Sequence, residues 1–324
     1  MWANSSATTS LARSAADMTG MPPRRILIAD DEVAILSSLG EILEDAGYQV
    51  VAASDGKQAL AILEKTPVDA ILSDISMPHV DGLELLHIAS ERWPTVPRIL
   101  LTGNLLEDYI GRFLQERVSC VLAKNVPFPV REILSSLEAL LNPEFSWTKT
   151  FFPAPKEHSS TLLHSPSDID KALDGVSARL PASRKKQLLL VLQELLTNGM
   201  FYGARGEDGA NKENWVHDFT LPSEQAIEFE WLEDNEKIGV CVRDHGGNLN
   251  GDTILHWLDR QTRKDPCGIP VGALDEHGRG LFFSRFFSDR LVVNIRKGNL
   301  TEVLTLNWLK EPPAGQKPLL IFQT

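Results

Sequence analysis

Between residues 24 and 141, short apolar runs alternate with stretches whose apolar positions recur every three or four residues. The runs 26–29, 48–53, 69–73, 98–101 and 118–122 predict five buried strands. The stretches 33–46, 57–65, 82–91, 105–116 and 130–140 predict amphipathic helices. Strand and helix in alternation predict an α/β domain with a doubly wound, five-stranded parallel sheet covered on both faces. Right-handed crossovers leave few strand orders open to it.

After residue 142 the pattern changes. Pro143, Pro153, Pro155, Pro166 and Pro181 punctuate the next forty residues, around a strand candidate at 160–164 and a helix at 167–179 that Ser167 is placed to cap. A strong helix follows over 184–202, with Leu188, Leu189, Leu192, Leu195 and Leu196 on one broad apolar face. Four β-like runs come next, at 226–232, 238–243, 291–296 and 301–308, interrupted by a Gly-rich region at 245–280. These predict an α+β sandwich. The expected division is a disordered leader at 1–22, the α/β domain at 23–141, a linker at 142–157 and the second domain at 158–324.

Composition narrows the function classes. Hydrophobic residues at 43% and charged residues at 23% exclude a disordered chain or a fibre. The formal net charge of −12 repels phosphate backbones, which argues against nucleic-acid binding. Cys120, Cys241 and Cys267 are too few and too far apart for a disulfide framework or a zinc site. No apolar run approaches the roughly 18 residues of a membrane span, and the Ser- and Ala-rich start lacks the build of a secretory signal. A soluble, cytoplasmic protein is expected.

In the first domain, Asp30 and Asp31 follow the first predicted strand and Asp74 follows the third. In strand order 2-1-3-4-5 those strands are neighbours, so three carboxylates are expected to converge at the carboxyl edge of the sheet. Carboxylates in that number repel one another unless a cation joins them, and hard oxygen donors suit Mg²⁺. Thr102 closes the fourth strand and Lys124 follows the fifth, bringing a hydroxyl and an ammonium to the same edge. The chemistry that uses this set is phosphoryl transfer to a carboxylate. Asp74 is then the nucleophile, Mg²⁺ and Lys124 neutralise the phosphoryl oxygens, and Thr102 hydrogen-bonds the attached group. These residues, with Ile75-Ser76-Met77-Pro78, Asp81-Gly82 and Gly103, resemble the response-regulator receiver domain. The chain departs from that pattern in two places. Asn125-Val126-Pro127 stands where proline usually follows the lysine directly, and Val121 stands where an aromatic is frequent.

In the second domain, Glu194 and Asn198 lie four apart on a helix and share a face. Such a pair serves a Mg²⁺–phosphate centre, with Asn198 giving an oxygen to the metal and Glu194 polarising an attacking hydroxyl. Asp244 ends a strand, and Gly246 two residues on lets an adenine approach the backbone. Gly278 and Gly280 flank Arg279 before a helical run at 281–288, where exposed amides favour an anion. Together these residues resemble the ATPase domain shared by histidine kinases, gyrase and heat-shock chaperones, and are most similar to anti-sigma-factor serine kinases. That resemblance implies ATP as ligand and a lid between Gly246 and Gly278.

A hybrid histidine kinase is disfavoured, because the proline-rich segment before this domain has no room for a helical hairpin of roughly 60 residues. The expected function is a response regulator, phosphorylated on Asp74 by an upstream histidine kinase or phosphotransfer protein. Its ATP-binding output phosphorylates Ser or Thr on a protein partner. An anti-sigma antagonist or a sigma factor is the partner that the resemblance implies. A non-catalytic, ATP-gated partner-switching protein is the alternative. Homodimer formation is left open.

Overall fold

A computed structural model describes residues 23–116, 118, 120–142, 145–207, 218–273 and 279–323, and the chain divides into two compact units, Met1–Phe145 and Ser146–Thr324. The expected leader, 1–22, lies outside the described residues.

The first unit runs β1 (Arg25–Ala29), α1 (Val33–Asp45), β2 (Gln49–Ala53), α2 (Gly56–Leu63), β3 (Ala70–Asp74), α3 (Gly82–Arg92) and β4 (Arg98–Thr102). It ends with α4 (Ile110–Gln115), β5 (Cys120–Ala123) and α5 (Val130–Leu141). Its strands lie in the order β2-β1-β3-β4-β5, all parallel. Every residue of β3 is buried, as expected for an inner strand covered on both faces. Polar caps start α2 and α3: Asp55 accepts the amide of Gln58 at 2.7 Å, and Asp81 that of Glu84 at 2.8 Å. The single helix expected over 105–116 is instead a 3₁₀ turn, Leu106–Tyr109, followed by α4. Leu106, Ile110 and Phe113 are buried at helical spacing across that join, so the apolar pattern carried no sign of the change in winding.

The second unit opens with α6 (Trp147–Phe151), inside the stretch expected to be linker. Trp147 is fully buried and meets the Phe322 ring at 4.8 Å. Then come β6 (Glu157–Leu163), α7 (Ser167–Ser177), α8 (Lys185–Asn198), β7 (Ile227–Glu233) and β8 (Lys237–Asp244). After them follow α9 (Gly251–Thr262), α10 (Arg279–Phe287), β9 (Arg290–Arg296), β10 (Leu300–Trp308) and β11 (Leu319–Gln323). The strand order is β11-β9-β10-β8-β7-β6; β11 runs parallel to β9, and the other pairs are antiparallel. Helices α7, α8, α10 and α9 pack side by side in that order.

Two local readings are corrected. Ser167 does not cap α7: the Asp168 carboxylate takes the amides of His164 and Ser165 at 3.1 and 3.0 Å, and so closes the turn before the helix. The long helix expected over 184–202 ends as an α-helix at Asn198 and continues as a π-helical turn, Gly199–Ala204. Gly199 there lies over Ile227 and Val242, which seats the end of α8 on the sheet.

Candidate functional site

In the first unit, β1 and β3 pair with Ala29 opposite Ser73, so the next residues on each strand, Asp30 and Asp74, emerge side by side. Their carboxylates are 1% and 6% exposed. Lys124 reaches both, its Nζ 2.7 Å from Asp30 Oδ2 and 2.6 Å from Asp74 Oδ1. The free oxygens accept backbone amides, Glu32 onto Asp30 at 3.0 Å and Ser76 onto Asp74 at 2.5 Å. Burial pushes the Asp30 carboxyl up, against the pull of the Lys124 and Glu32 hydrogen bonds. For Lys124, burial works downward but the two carboxylates outweigh it and hold the ammonium above its ordinary value.

Two of the three expected carboxylates therefore converge. Asp31 is exposed, and among the described residues no group of three or more His, Cys, Asp or Glu stands close enough to hold a metal ion. The Lys124 ammonium supplies the countercharge that the pair of carboxylates requires. The residues Asn125-Val126-Pro127 do not displace it, because the Lys124 amide is fixed to the Thr102 carbonyl at 2.7 Å. Thr102 is buried beside Asp74, and its Oγ1 accepts the Asn104 amide at 2.9 Å. Asn104 in turn donates to Ser76 Oγ at 3.1 Å. Gly82 closes the floor of the site. A Cβ there would stand 1.7 Å from the Asp74 carbonyl oxygen, so no larger residue fits without moving backbone.

In the second unit, Glu194 and Asn198 project from the last turns of α8. Gly280, at the start of α10, sits against both: a Cβ on it would lie 3.0 Å from Glu194 Oε2 and 3.4 Å from Asn198 Nδ2. Gly278 lies outside the described residues. Arg279 is exposed and donates to the Ala273 carbonyl at 3.4 Å.

Asp244 ends β8 and is 6% exposed. Its Oδ1 accepts the amides of Gly246 and Gly247 at 3.1 and 3.3 Å. Burial nevertheless pushes the carboxyl up to about 6, with those two amides pulling the other way. Gly203 in the π-helical turn faces it, and a Cβ there would stand 2.3 Å from the Asp244 carboxyl carbon. The turn that begins at Asn198 thus ends on Asp244, linking the two halves of the site along one continuous helix. Gly246 packs as closely, 1.9 Å from a hypothetical Cβ to the Gly203 carbonyl oxygen.

Two contributors, Gly203 and Asn248, were not singled out from sequence, whereas Gly247 was read with Gly246 as a glycine beside Asp244. Gly203 was hidden in an apparently regular helix. Gly247 takes φ +56° with the backbone of Arg296, Gly298 and Asn299 packed against it, and Asn248 Nδ2 donates to the Gly203 carbonyl at 2.9 Å. An Asp-x-Gly-Gly-Asn run contains both, so a turn signal was present without indicating its target.

Residues 26–138 match the family described as response regulator receiver domain, and residues 166–308 match the histidine kinase-like ATPase domain. A response regulator receiver protein of Anaeromyxobacter sp. is 37% identical over 106 residues, 33% of this chain and 44% of that protein. The transcriptional regulatory protein PdtaR of Mycobacterium tuberculosis is 33% identical over 124 residues, 38% of this chain and 58% of that protein. The transcriptional regulatory protein CpxR of Klebsiella pneumoniae is 31% identical over 177 residues, 53% of this chain and 73% of that protein. The chain thus spans about half the length of the first two relatives. With the aspartate–lysine pocket at the carboxyl edge of a 2-1-3-4-5 sheet, these matches make the chain a member of the response regulators, a receiver domain joined to a histidine-kinase-like ATPase domain.

Proposed function

We propose that this chain is a response regulator that accepts a phosphoryl group on Asp74 and carries an ATP-binding output domain acting on Ser or Thr of a protein partner. In the receiver, an Asp74 oxygen attacks the phosphorus of the donor. The new O–P bond replaces the bond to the donor, whose leaving group departs with its electron pair. Lys124, already on Asp74 Oδ1, would neutralise the incoming oxygens, and Thr102, on the neighbouring strand end, would donate to them. Asp30 and Asp74 offer hard oxygens and would hold a Mg²⁺ with Asp31, which is exposed and does not join them here; the ion would supply further neutralisation of charge beyond that of Lys124.

In the output domain, Asp244 would accept a hydrogen bond from the amino group of adenine, and Gly246 and Gly247 would allow the base against the backbone. The amides at the start of α10 favour the phosphates. Asn198 would hold a Mg²⁺ there, and Glu194 would take the proton of the attacking hydroxyl. The observation that carries this reading is Gly280 seated against Glu194 and Asn198, which puts a carboxylate, an amide and a helix N-terminus at one point.

Two measurements test it. Treatment with acetyl phosphate and Mg²⁺ should add one phosphoryl group by intact mass to the wild-type chain and none to Asp74→Asn. With Mg-ATP and a purified antagonist protein, Glu194-dependent transfer to that protein supports the kinase. ATP that binds yet stays intact with every antagonist and sigma factor tried points instead to an ATP-gated binding protein.

A further inference from the structure

Residues 309–323 lie beyond the matched ATPase region, yet they hold α10, which carries Gly280, and α9, which packs against α10. Lys317 Nζ donates to the carbonyls of Phe286 and Ser288, each at 2.7 Å, and of Arg285 at 3.3 Å, at the end of α10. Arg285, 8% exposed, answers with Nη1 on the Pro318 carbonyl at 2.7 Å and Nη2 on the Lys317 carbonyl at 3.1 Å. The chain then enters β11, whose Leu319, Leu320, Ile321 and Phe322 are buried and which pairs with β9 through Gln323 opposite Ile295. There Gln323 Oε1 accepts the amide of Gly251, the first residue of α9, at 2.9 Å.

Both contacts fall where a helix needs outside partners. The last carbonyls of a helix have no intrahelical donor, and a cation there also meets the negative end of the dipole. The first amides of α9 have no intrahelical acceptor; Asn250 takes that of Thr253 and Gln323 takes that of Gly251. Helix α10 has nine residues, too short to hold itself, so its position follows its anchors. One of these anchors lies at Gly280, against Glu194 and Asn198, and the other is Lys317.

We infer that residues 309–323 form a strap that sets the nucleotide site from behind, with Lys317 and Gln323 as positioning residues for α10 and α9. This rests on the ATP reading above. The strap lets anything that shifts β11 alter nucleotide affinity without touching the nucleotide.

The full chain should be titrated with N-methylanthraniloyl-ATP and Mg²⁺, with hydrogen exchange followed by mass spectrometry on the same samples. Lys317→Met is expected to weaken binding about tenfold and to speed exchange in α10 while exchange in the first unit stays unchanged. Lys317→Arg should recover most of the affinity. Gln323→Ala, milder and at an exposed position, should speed exchange in the first turn of α9 and weaken binding a few-fold. Lys310→Met, an exposed lysine on the same segment, should change neither. Folded Lys317→Met or Gln323→Ala chains with wild-type affinity overturn the strap. Should Lys317→Met not fold, Gln323→Ala decides alone. A wild-type chain that binds no nucleotide overturns the ATP reading instead, and normal exchange of α10 and α9 in the variants overturns the strap separately.

Discussion

The two units bury a carboxylate at the end of an inner strand, and they solve the cost of that burial differently. Asp30 and Asp74 share the Lys124 ammonium between neighbouring parallel strands. Asp244 has two glycine amides, and its carboxyl stays pushed up to about 6. An ammonium between two carboxylates offsets their mutual repulsion, which the proposed chemistry on Asp74 uses. A carboxylate that burial holds high, with Gly203 and Gly246 packed close, suits the neutral donor of the proposed adenine reading. Each site also depends on a glycine with no room for a Cβ, Gly82 against the Asp74 backbone and Gly203 against the Asp244 carboxylate. In the receiver that glycine meets rigid main chain, whereas in the ATPase domain it meets a side chain.

The sharpest break in this comparison is Lys124→Met. Removing one partner of a buried ionic cluster leaves the others unpaired, and about 3–5 kcal/mol of stability should be lost in urea unfolding of the first unit. Adding Asp30→Asn should return part of that loss, since one stranded charge is then removed. If Lys124→Met alone costs less than about 1 kcal/mol, the cluster is not the receiver's electrostatic centre.

Gly82→Ala should come next, because a backbone oxygen cannot swing aside as a side chain can; about 1–3 kcal/mol and slower phosphorylation are expected. Gly203→Ala should cost less stability and act mainly on nucleotide affinity, since the Asp244 carboxylate is the group displaced. Equal effects of the two substitutions on stability would erase the distinction between main-chain and side-chain neighbours.

The pH response separates the units more finely. The folded value of Asp244 lies above that of an unfolded aspartate, so the folded chain binds more protons between the two. Its contribution to stability therefore declines as pH rises from about 4 through about 6. Affinity for an adenine nucleotide runs the other way, because the ionised carboxylate is the acceptor; it should fall as pH drops below about 6. Asp244→Asn should flatten both profiles, gain about 1–2 kcal/mol at pH 8 and weaken nucleotide binding. An Asp244→Asn chain with an unchanged pH profile of binding would remove this residue from the nucleotide site.

Much of the receiver was readable in the chain because its site residues are the residues that end strands. Once alternation fixes a parallel sheet, Asp30, Asp74 and Thr102 have one edge to occupy. Glu194 and Asn198 were readable for a similar reason, since a spacing of four on a helix fixes a shared face. Helix α9 was lost inside a Gly-rich stretch, although Asn250 and the buried Ile254, Leu255 and Leu258 were signals of it. Strand β11 is four buried apolar residues and Gln323 after Pro318, too short for periodicity to separate from a tail.

By itself, the amino-acid sequence determined the alternation of strand and helix, the sheet edge that Asp30 and Asp74 share and the helical face of Glu194 and Asn198, because each follows from local geometry. Tertiary structure decided that Lys124 and not Asp31 joins Asp30 and Asp74, that Gly203 meets Asp244, and that Lys317 holds α10. Each of those contacts joins residues far apart in the chain, and only packing brings them within hydrogen-bonding reach.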